Sequence, residues 1–162
     1  MNQIKEPTTF AEEAYCAIQA ALTKWRVLLV DDDEKIHVSL AIALENATIL
    51  GRSLELLHAY STEHAQNIIR DEAGIAVAFL DADLDLVCYI REELGQLDVR
   101  IILHASQSEY MPTSASIQDY DINDYWAKAE LTSIKLYVML TTAIRSYAQL
   151  CAINTHRQGL DM

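Results

Sequence analysis

Apolar segments and helix-forming segments alternate five times along this chain of 162 residues. The apolar segments are short and nearly continuous, as expected of strands buried on both faces, and they cover residues 26–30, 54–60, 75–80, 99–105 and 122–128. Strands that alternate with amphipathic helices form a parallel sheet with helices on both of its faces. We therefore predict the α/β class and a three-layer α/β/α fold with a five-stranded parallel sheet.

Five helices are predicted to connect and follow these strands, over residues 34–47, 62–72, 84–95, 113–119 and 131–157. A further helix is predicted over residues 10–23. We expect residues 1–24 to form an N-terminal helical extension, residues 25–147 the domain, and residues 148–162 an extension of the last helix. That helix carries more apolar surface than one sheet face needs, so we expect its end to form a dimer contact or to lead into a further domain.

The composition narrows the class of partner. Asp and Glu number 24 against 12 Lys and Arg, a net charge of −12, which disfavours binding to nucleic acid or to an acidic membrane surface. No continuous apolar run reaches the roughly 18 residues of a spanning helix, and the N-terminus has no signal-peptide pattern, so we expect a cytoplasmic protein. The three cysteines lie far apart and form no metal-type pair, and their odd number argues against a disulfide framework. We therefore expect them to be small buried hydrophobic residues: Cys16, Cys88 and Cys151.

Polar residues follow four of the predicted strands. Residues 31–33 are three aspartates after the first strand, Asp81 ends the third, residues 104–106 (His, Ala, Ser) end the fourth, and Lys128 ends the fifth. In open parallel sheets, ligands bind beyond the carboxyl ends of the strands. Carboxylates at such an edge are ligands for Mg²⁺, and an aspartate beside a metal and a lysine is suited to accept a phosphoryl group.

Each of these residues also has a plain structural interpretation. Asp31 and Asp32 are acids at a helix N-terminus, Asp81 is a helix cap, and Lys128 alone is a surface lysine. These residues indicate a site only if all four lie together at one edge of the sheet. We interpret His104 as a strand residue near the rim of the sheet, and we assign no role to the scattered histidines His37, His58 and His64.

The motifs RVLLVDDDE, AVAFLD, RIILHAS and NDYWAK, in this order, resemble the receiver domain of two-component response regulators. The resemblance covers roughly residues 25–150. It is closer to receivers found N-terminal to phosphohydrolase-like output regions, through the stretches YIREELG, VRIIL, YDINDY and LTSIKLY. It implies a flavodoxin-like receiver fold with strand order 2-1-3-4-5.

The resemblance also implies roles for single residues. Asp31 and Asp32 match the acidic pair that helps to hold Mg²⁺, and Asp81 matches the phosphoacceptor. Asp83 matches the position whose backbone carbonyl usually binds the metal. Lys128 matches the lysine that contacts the phosphoryl group.

The switch region departs from the receiver pattern. Tyr125 matches the switching aromatic, but Ala105 aligns with a position where receivers usually carry Thr or Ser. Ser106 follows it, on the opposite side of the strand if alternation holds. The loop after Asp81, residues 82–85, is also shorter than in receivers of this type.

The implied function is signal relay, in which a sensor histidine kinase phosphorylates Asp81 with Mg²⁺ as cofactor. A downstream protein partner is expected on the face formed by the fourth helix, the fifth strand and the fifth helix, with a homodimer as a further option and no nucleic acid or membrane. Such a chain is not an enzyme in the usual sense. The alternative is a degenerate receiver that acts as a phosphorylation-independent interaction or dimerisation module. A Mg²⁺-dependent phosphatase also stays open, because Asp83 lies two residues after Asp81.

Overall fold

The computed structural model describes residues 24–106 and 112–160, so the helix predicted over residues 10–23 lies outside the described residues. The strands are β1 (Trp25–Val30), β2 (Thr48–Ile49), β3 (Arg52–Ala59), β4 (Ile75–Asp81), β5 (Arg100–Ala105) and β6 (Asp124–Ala127). The helices are α1 (Glu34–Leu44), α2 (Thr62–Asp71), α3 (Leu84–Cys88, continued by a π-helical turn over Tyr89–Glu93), α4 (Ser114–Asp119) and α5 (Ser133–Leu160).

The six strands form one sheet in the order β2-β3-β1-β4-β5-β6. The last five strands of this order are parallel, and they confirm the predicted fold class and the predicted order 2-1-3-4-5. The additional strand β2 pairs antiparallel with β3 at the sheet edge. The first helix was predicted through residue 47 but ends at Leu44, because the left-handed residue Asn46 (φ 61°) turns the chain into β2.

Helices cover both faces of the sheet, as predicted. On one face α1 and α5 pack against alternate strand residues that include Val27, Leu29, Val77, Phe79 and Ile102. On the other face α2 and α3 pack against Leu28, Val30, Ala78, Leu80 and Leu103. Because successive strand residues alternate between these two cores, a residue's place in its strand tells which helix layer it faces.

The last helix, α5, runs unbroken through the predicted boundary at residues 147 and 148. Its buried residues lie in its first half: Leu136, Met139, Leu140, Ala143 and Ile144. By length and composition it is apolar enough to span a membrane, a property that the core helix of a soluble protein shares. Beyond this half Ile153 is exposed, while Asn154 donates to the Asp98 carboxylate at 2.9 Å. Cys88 and Cys151 are half-buried free thiols.

Candidate functional site

The carboxyl ends of β1, β4 and β5 bring three ligand-type side chains together. Strand β4 lies between β1 and β5, and Asp81 pairs with His104 across the β4–β5 ladder. One ligand atom each from Asp31, Asp81 and His104 lies within 4.8 Å of the other two. The three residues follow Leu29, Phe79 and Ile102 by two positions, so strand alternation turns them all toward the α1 and α5 layer.

Lys128 joins the two carboxylates of this cluster. Its Nζ lies 2.7 Å from Oδ2 of Asp31 and 3.2 Å from Oδ1 of Asp81. The Asp31 side chain is completely buried, whereas 34% of the Asp81 side chain is exposed. The backbone N–H of Asp33 donates to Oδ1 of Asp31 at 2.8 Å. Asp31 is therefore the inner, fixed carboxylate, and Asp81 is the one that a ligand from solvent can reach.

The two carboxylates differ in their acidity. Burial raises the pKa of Asp31, but the Lys128 ammonium and the Asp33 N–H outweigh burial, so the pKa lies below its usual value. Burial also raises the pKa of Asp81, and there the opposing effect of Lys128 is too small to cancel it. Burial lowers the pKa of Lys128, but its two carboxylate partners outweigh this and raise it. Asp81 is therefore the more basic carboxylate of the pair.

His104 is the third member of the cluster, and the sequence interpretation did not place it there. Its side chain is completely buried and stacks on Phe79, with ring centroids 4.5 Å apart and an interplanar angle of 23°. Its Nδ1 lies 3.5 Å from Oδ2 of Asp31. Neither ring nitrogen makes a hydrogen bond of normal geometry among the residues that the structure describes, and the Val30 backbone is the nearby polar group that acts on the ring. Burial lowers the pKa of His104 to about 4, so the imidazole is neutral near pH 7.

The predicted switch residues Ala105 and Ser106 lie beside this cluster but are not part of it. Because Asp81 pairs with His104, alternation turns the buried Ala105 toward the other face of the sheet. The residue of the fourth parallel strand that faces the site is therefore His104, and not Ala105, which was aligned with the Thr or Ser position of receivers. Ser106 is exposed just beyond the end of β5.

The other predicted metal residues are placed differently from Asp31. Asp32 is exposed and is not in the cluster of close ligand atoms. The carboxylate of Asp83 caps α3 by accepting from the Leu86 N–H at 3.0 Å, and it also accepts a hydrogen bond from the Thr62 hydroxyl. Its side chain is therefore committed to structure, and the role predicted for its backbone carbonyl stays a prediction.

The loop after Asp81 was predicted over residues 82–85 but contains only Ala82 and Asp83, because α3 begins at Leu84. The Ala82 N–H donates to the Leu80 carbonyl at 3.0 Å, which makes a turn of three residues around Asp81. Ala82 has a φ of 33°, in the left-handed region that is costly for a residue with a Cβ atom. The chain thus turns from β4 into the α3 cap at Asp83 with local backbone strain next to Asp81.

Tyr125 and Trp126 point to opposite layers, as alternation predicts. Tyr125 is half-buried and packs with the core under α2 and α3, whereas Trp126 packs against α5 on the same face as the site. Tyr125 therefore lies on the opposite face of β6 from Lys128. Its predicted switching role stays a prediction.

A histidine pair supports the inner carboxylate from behind. Nε2 of the buried His37 lies 2.8 Å from the backbone carbonyl of Asp31, and its Nδ1 lies 2.8 Å from Nδ1 of His58. A carbonyl oxygen only accepts, so His37 donates from Nε2 and accepts the His58 N–H. The two residues are 21 positions apart on α1 and β3, a distance that gave no ligand spacing in the sequence.

A cavity of about 290 Å³ opens beside the cluster, between α1 and α5. Its walls include His104 and Lys128 on the sheet side and apolar residues of α1 and α5. They also include three residues that carry hydroxyl groups, on α1 and around the start of α5: Ser39, Thr132 and Ser133. The lysine side chain thus borders both the carboxylate cluster and an open space with a mixed polar and apolar lining.

The chain is similar in sequence to a phosphodiesterase of Vibrio cholerae. It is 40% identical over 143 residues to the 3'3'-cGAMP-specific phosphodiesterase 2 of Vibrio cholerae, a match that covers 84% of this chain and 27% of the relative. This chain therefore spans about a quarter of the length of the curated relative it matches. No family model matches the chain.

Solved structures show the same fold. A response regulator receiver domain from Clostridium thermocellum has a TM-score of 0.66 at 18% identity, over 78% of this chain and 98% of that one. The signal receiver domain of an HD domain-containing protein from Pseudomonas fluorescens has a TM-score of 0.67 at 18% identity, over 80% and 93%. The resemblance predicted from the motifs is thus confirmed, and the chain has the fold of the receiver domains of two-component response regulators.

Proposed function

We propose that this chain is a receiver module that takes up a phosphoryl group on Asp81 from a sensor histidine kinase. The observation that carries the proposal is the pairing of a reachable, relatively basic Asp81 with a buried Asp31 through the single ammonium of Lys128. Phosphoryl transfer to an aspartate needs a carboxylate that the phosphoryl donor can reach, and it needs a fixed cation beside the transferring group. Here Oδ1 of Asp81 and Nζ of Lys128 lie 3.2 Å apart.

The proposed step forms a bond between an Asp81 carboxylate oxygen and phosphorus. The bond from phosphorus to the leaving group, a histidine nitrogen of the kinase or the acetate of acetyl phosphate, breaks in the same transfer. Lys128 offsets negative charge on the phosphoryl oxygens, and Asp31 holds the ammonium in place from its buried side. The two carboxylates also fit a divalent cation such as Mg²⁺, which supplies further charge neutralisation when bound.

The test is intact-mass spectrometry after incubation with acetyl phosphate and Mg²⁺. We expect the wild type to gain the mass of one phosphoryl group and Asp81→Asn to gain none. Asp85→Asn, which removes an exposed carboxylate of α3, is the matched control and should be labelled like the wild type. Equal labelling of the wild type and Asp81→Asn would contradict the proposal.

The partners follow from the same proposal. We infer that phosphorylation is read on the face formed by α4, β6 and α5, near Tyr125, by a downstream partner or a second copy of the chain. In the Vibrio cholerae relative the matching segment is part of a phosphodiesterase. We therefore propose that the receiver itself is non-enzymatic and that, if it belongs to a longer protein, it regulates a hydrolase region there.

A second candidate is a module that binds partners without phosphorylation. Two features favour it: the imidazole of His104 on the site face of β5, where no hydroxyl is present, and the strained turn at Ala82. Beryllofluoride with Mg²⁺ separates the two candidates, because it mimics the phosphoryl group. Binding that changes the oligomeric state supports relay, and an oligomer that is the same with and without beryllofluoride supports the second candidate.

A further inference from the structure

We propose that His104 is a metal ligand and that it makes this site selective for a first-row transition dication over Mg²⁺. The inference deepens the proposed function, since it shares Asp31 and Asp81 with it, but it concerns the identity of the cation and not the transfer itself. Receivers resemble this chain in the two carboxylates. The nitrogen donor is what this chain adds.

The geometry of His104 is that of a side chain without a partner. Its ring is completely buried, and neither nitrogen makes a hydrogen bond of normal geometry within the described part of the chain. A buried polar atom left unpaired is costly, so such atoms in folded proteins usually have a partner. Nδ1 points into the cluster, 3.5 Å from Oδ2 of Asp31.

The ring cannot easily turn away from the cluster. It stacks on Phe79, and it is fixed by strand pairing directly opposite Asp81. Its donor atom, with those of Asp31 and Asp81, forms a set whose members all lie within 4.8 Å of one another. Ligands bonded to one metal ion at about 2.0–2.2 Å lie at most twice that distance apart, so a small inward movement brings all three into range.

The donor set favours a particular class of ion. Mg²⁺ strongly prefers oxygen ligands, whereas imidazole suits Zn²⁺, Co²⁺ and similar ions. One imidazole and two carboxylates leave further coordination positions for water or a phosphoryl oxygen, and the exposed side of Asp81 provides access to them. The cluster therefore resembles an open transition-metal site more than a site for Mg²⁺ alone.

Lys128 has room to make way for such an ion. Its ammonium lies between the two carboxylates, where a dication would be repelled by it. Its side chain also borders the cavity of about 290 Å³ whose helix side carries Ser39, Thr132 and Ser133. A flexible lysine stem allows the ammonium to move toward these hydroxyl groups while it keeps one carboxylate contact.

The experiment compares Co²⁺ and Mg²⁺ affinities by isothermal titration calorimetry. The variants are His104→Phe, which keeps a buried ring on Phe79, and the matched control His64→Phe on the exposed face of α2. We expect His104→Phe to lower the ratio of Co²⁺ to Mg²⁺ affinity about tenfold or more, by loss of the nitrogen donor. His64→Phe should keep the wild-type ratio, and an unchanged ratio in His104→Phe would overturn the proposal.

A second measurement needs no variant to fold. Imidazole ¹⁵N resonances of the wild-type protein report directly which of its five histidines binds Zn²⁺. We expect a large shift for Nδ1 of His104, and a shift confined to other histidines would refute the assignment. Labelling of Asp81 by acetyl phosphate in Mg²⁺ is scored separately, so failure of the phosphorylation proposal is distinguishable from failure of this one.

Discussion

The carboxylate half of the site, on β1 and β4, and the imidazole half, on β5, differ in how closely they match the receiver pattern. Asp31 and Asp81 lie where the resemblance predicts, and Lys128 bridges them. On β5 a buried aromatic histidine faces the same space, and the small residue Ala105 faces away. The carboxylates proposed to take up a phosphoryl group lie on β1 and β4, whereas the side chain in the switch position lies on β5. The two parts of the site can therefore change separately.

The largest expected effect comes from breaking the carboxylate half. Lys128→Met leaves the buried charge of Asp31 without its cation, which should lower the free energy of unfolding by about 3 kcal/mol. Urea unfolding at pH 7 measures this loss. The double variant Asp31→Asn with Lys128→Met removes both charges and should recover most of it.

The same loss should depend on pH in a defined direction. Lys128 holds the pKa of Asp31 below the ordinary value of 3.8. The ion pair therefore stabilises the fold above that value, and its contribution falls as pH drops through the lower pKa of the folded state. Lys128→Met should accordingly differ less from the wild type in acid than at pH 7. The control is Lys35→Met, which removes an exposed lysine. If Lys35→Met lost as much stability as Lys128→Met, the loss would not come from the ion pair with Asp31.

The carboxylate half was predictable because it depends on chain order and strand alternation. Continuous apolar strands predicted the sheet, and the charged residues at the strand ends predicted that Asp31, Asp81 and Lys128 lie at one edge. His104 was missed because the face to which it points depends on the register between β4 and β5, which the sequence does not show. The switch position was therefore assigned one residue too late, to Ala105. The pair of His37 and His58 was missed because contacts between distant elements leave no local pattern in a sequence.

The next effect tests the imidazole half. His104→Thr places a hydroxyl of the kind that receivers carry on the site face of β5, but it leaves a cavity beside Phe79. We expect a loss of about 2 kcal/mol in the free energy of unfolding from that cavity. His104→Phe keeps the ring and removes two unpartnered nitrogens, so it should stay within about 1 kcal/mol of the wild type.

These two variants sharpen the comparison because they separate packing from chemistry. Thermal and urea unfolding give the stability, and acetyl phosphate labelling gives the site chemistry. If His104→Thr were as stable as the wild type, the tight stacking of the imidazole would contribute nothing, and the β5 half would be as open to change as a surface position.

A smaller effect concerns the turn between the two halves. Ala82→Gly should raise the free energy of unfolding by about 0.5 kcal/mol, because glycine adopts the left-handed φ of 33° without a Cβ clash. The gain is partly offset by the greater freedom of glycine in the unfolded chain. The matched control Ala41→Gly, inside α1, should lose about 1 kcal/mol. A loss in both variants would mean that the turn is unstrained.

The smallest expected effect tests the support behind Asp31. Burial, and then the neighbouring His37, lower the pKa of His58 below 6.5, so the folded state favours its neutral form. The stability from this preference is present above pH 6.5 and is lost as pH falls through the lower folded-state pKa. His58→Gln should therefore lose less stability than the wild type between pH 7 and pH 5. His64→Gln, on exposed α2, should follow the wild type. His37 bonds the Asp31 carbonyl. An acid loss in His58→Gln as large as that of the wild type would assign the loss to other groups, such as the buried His104, and not to this pair.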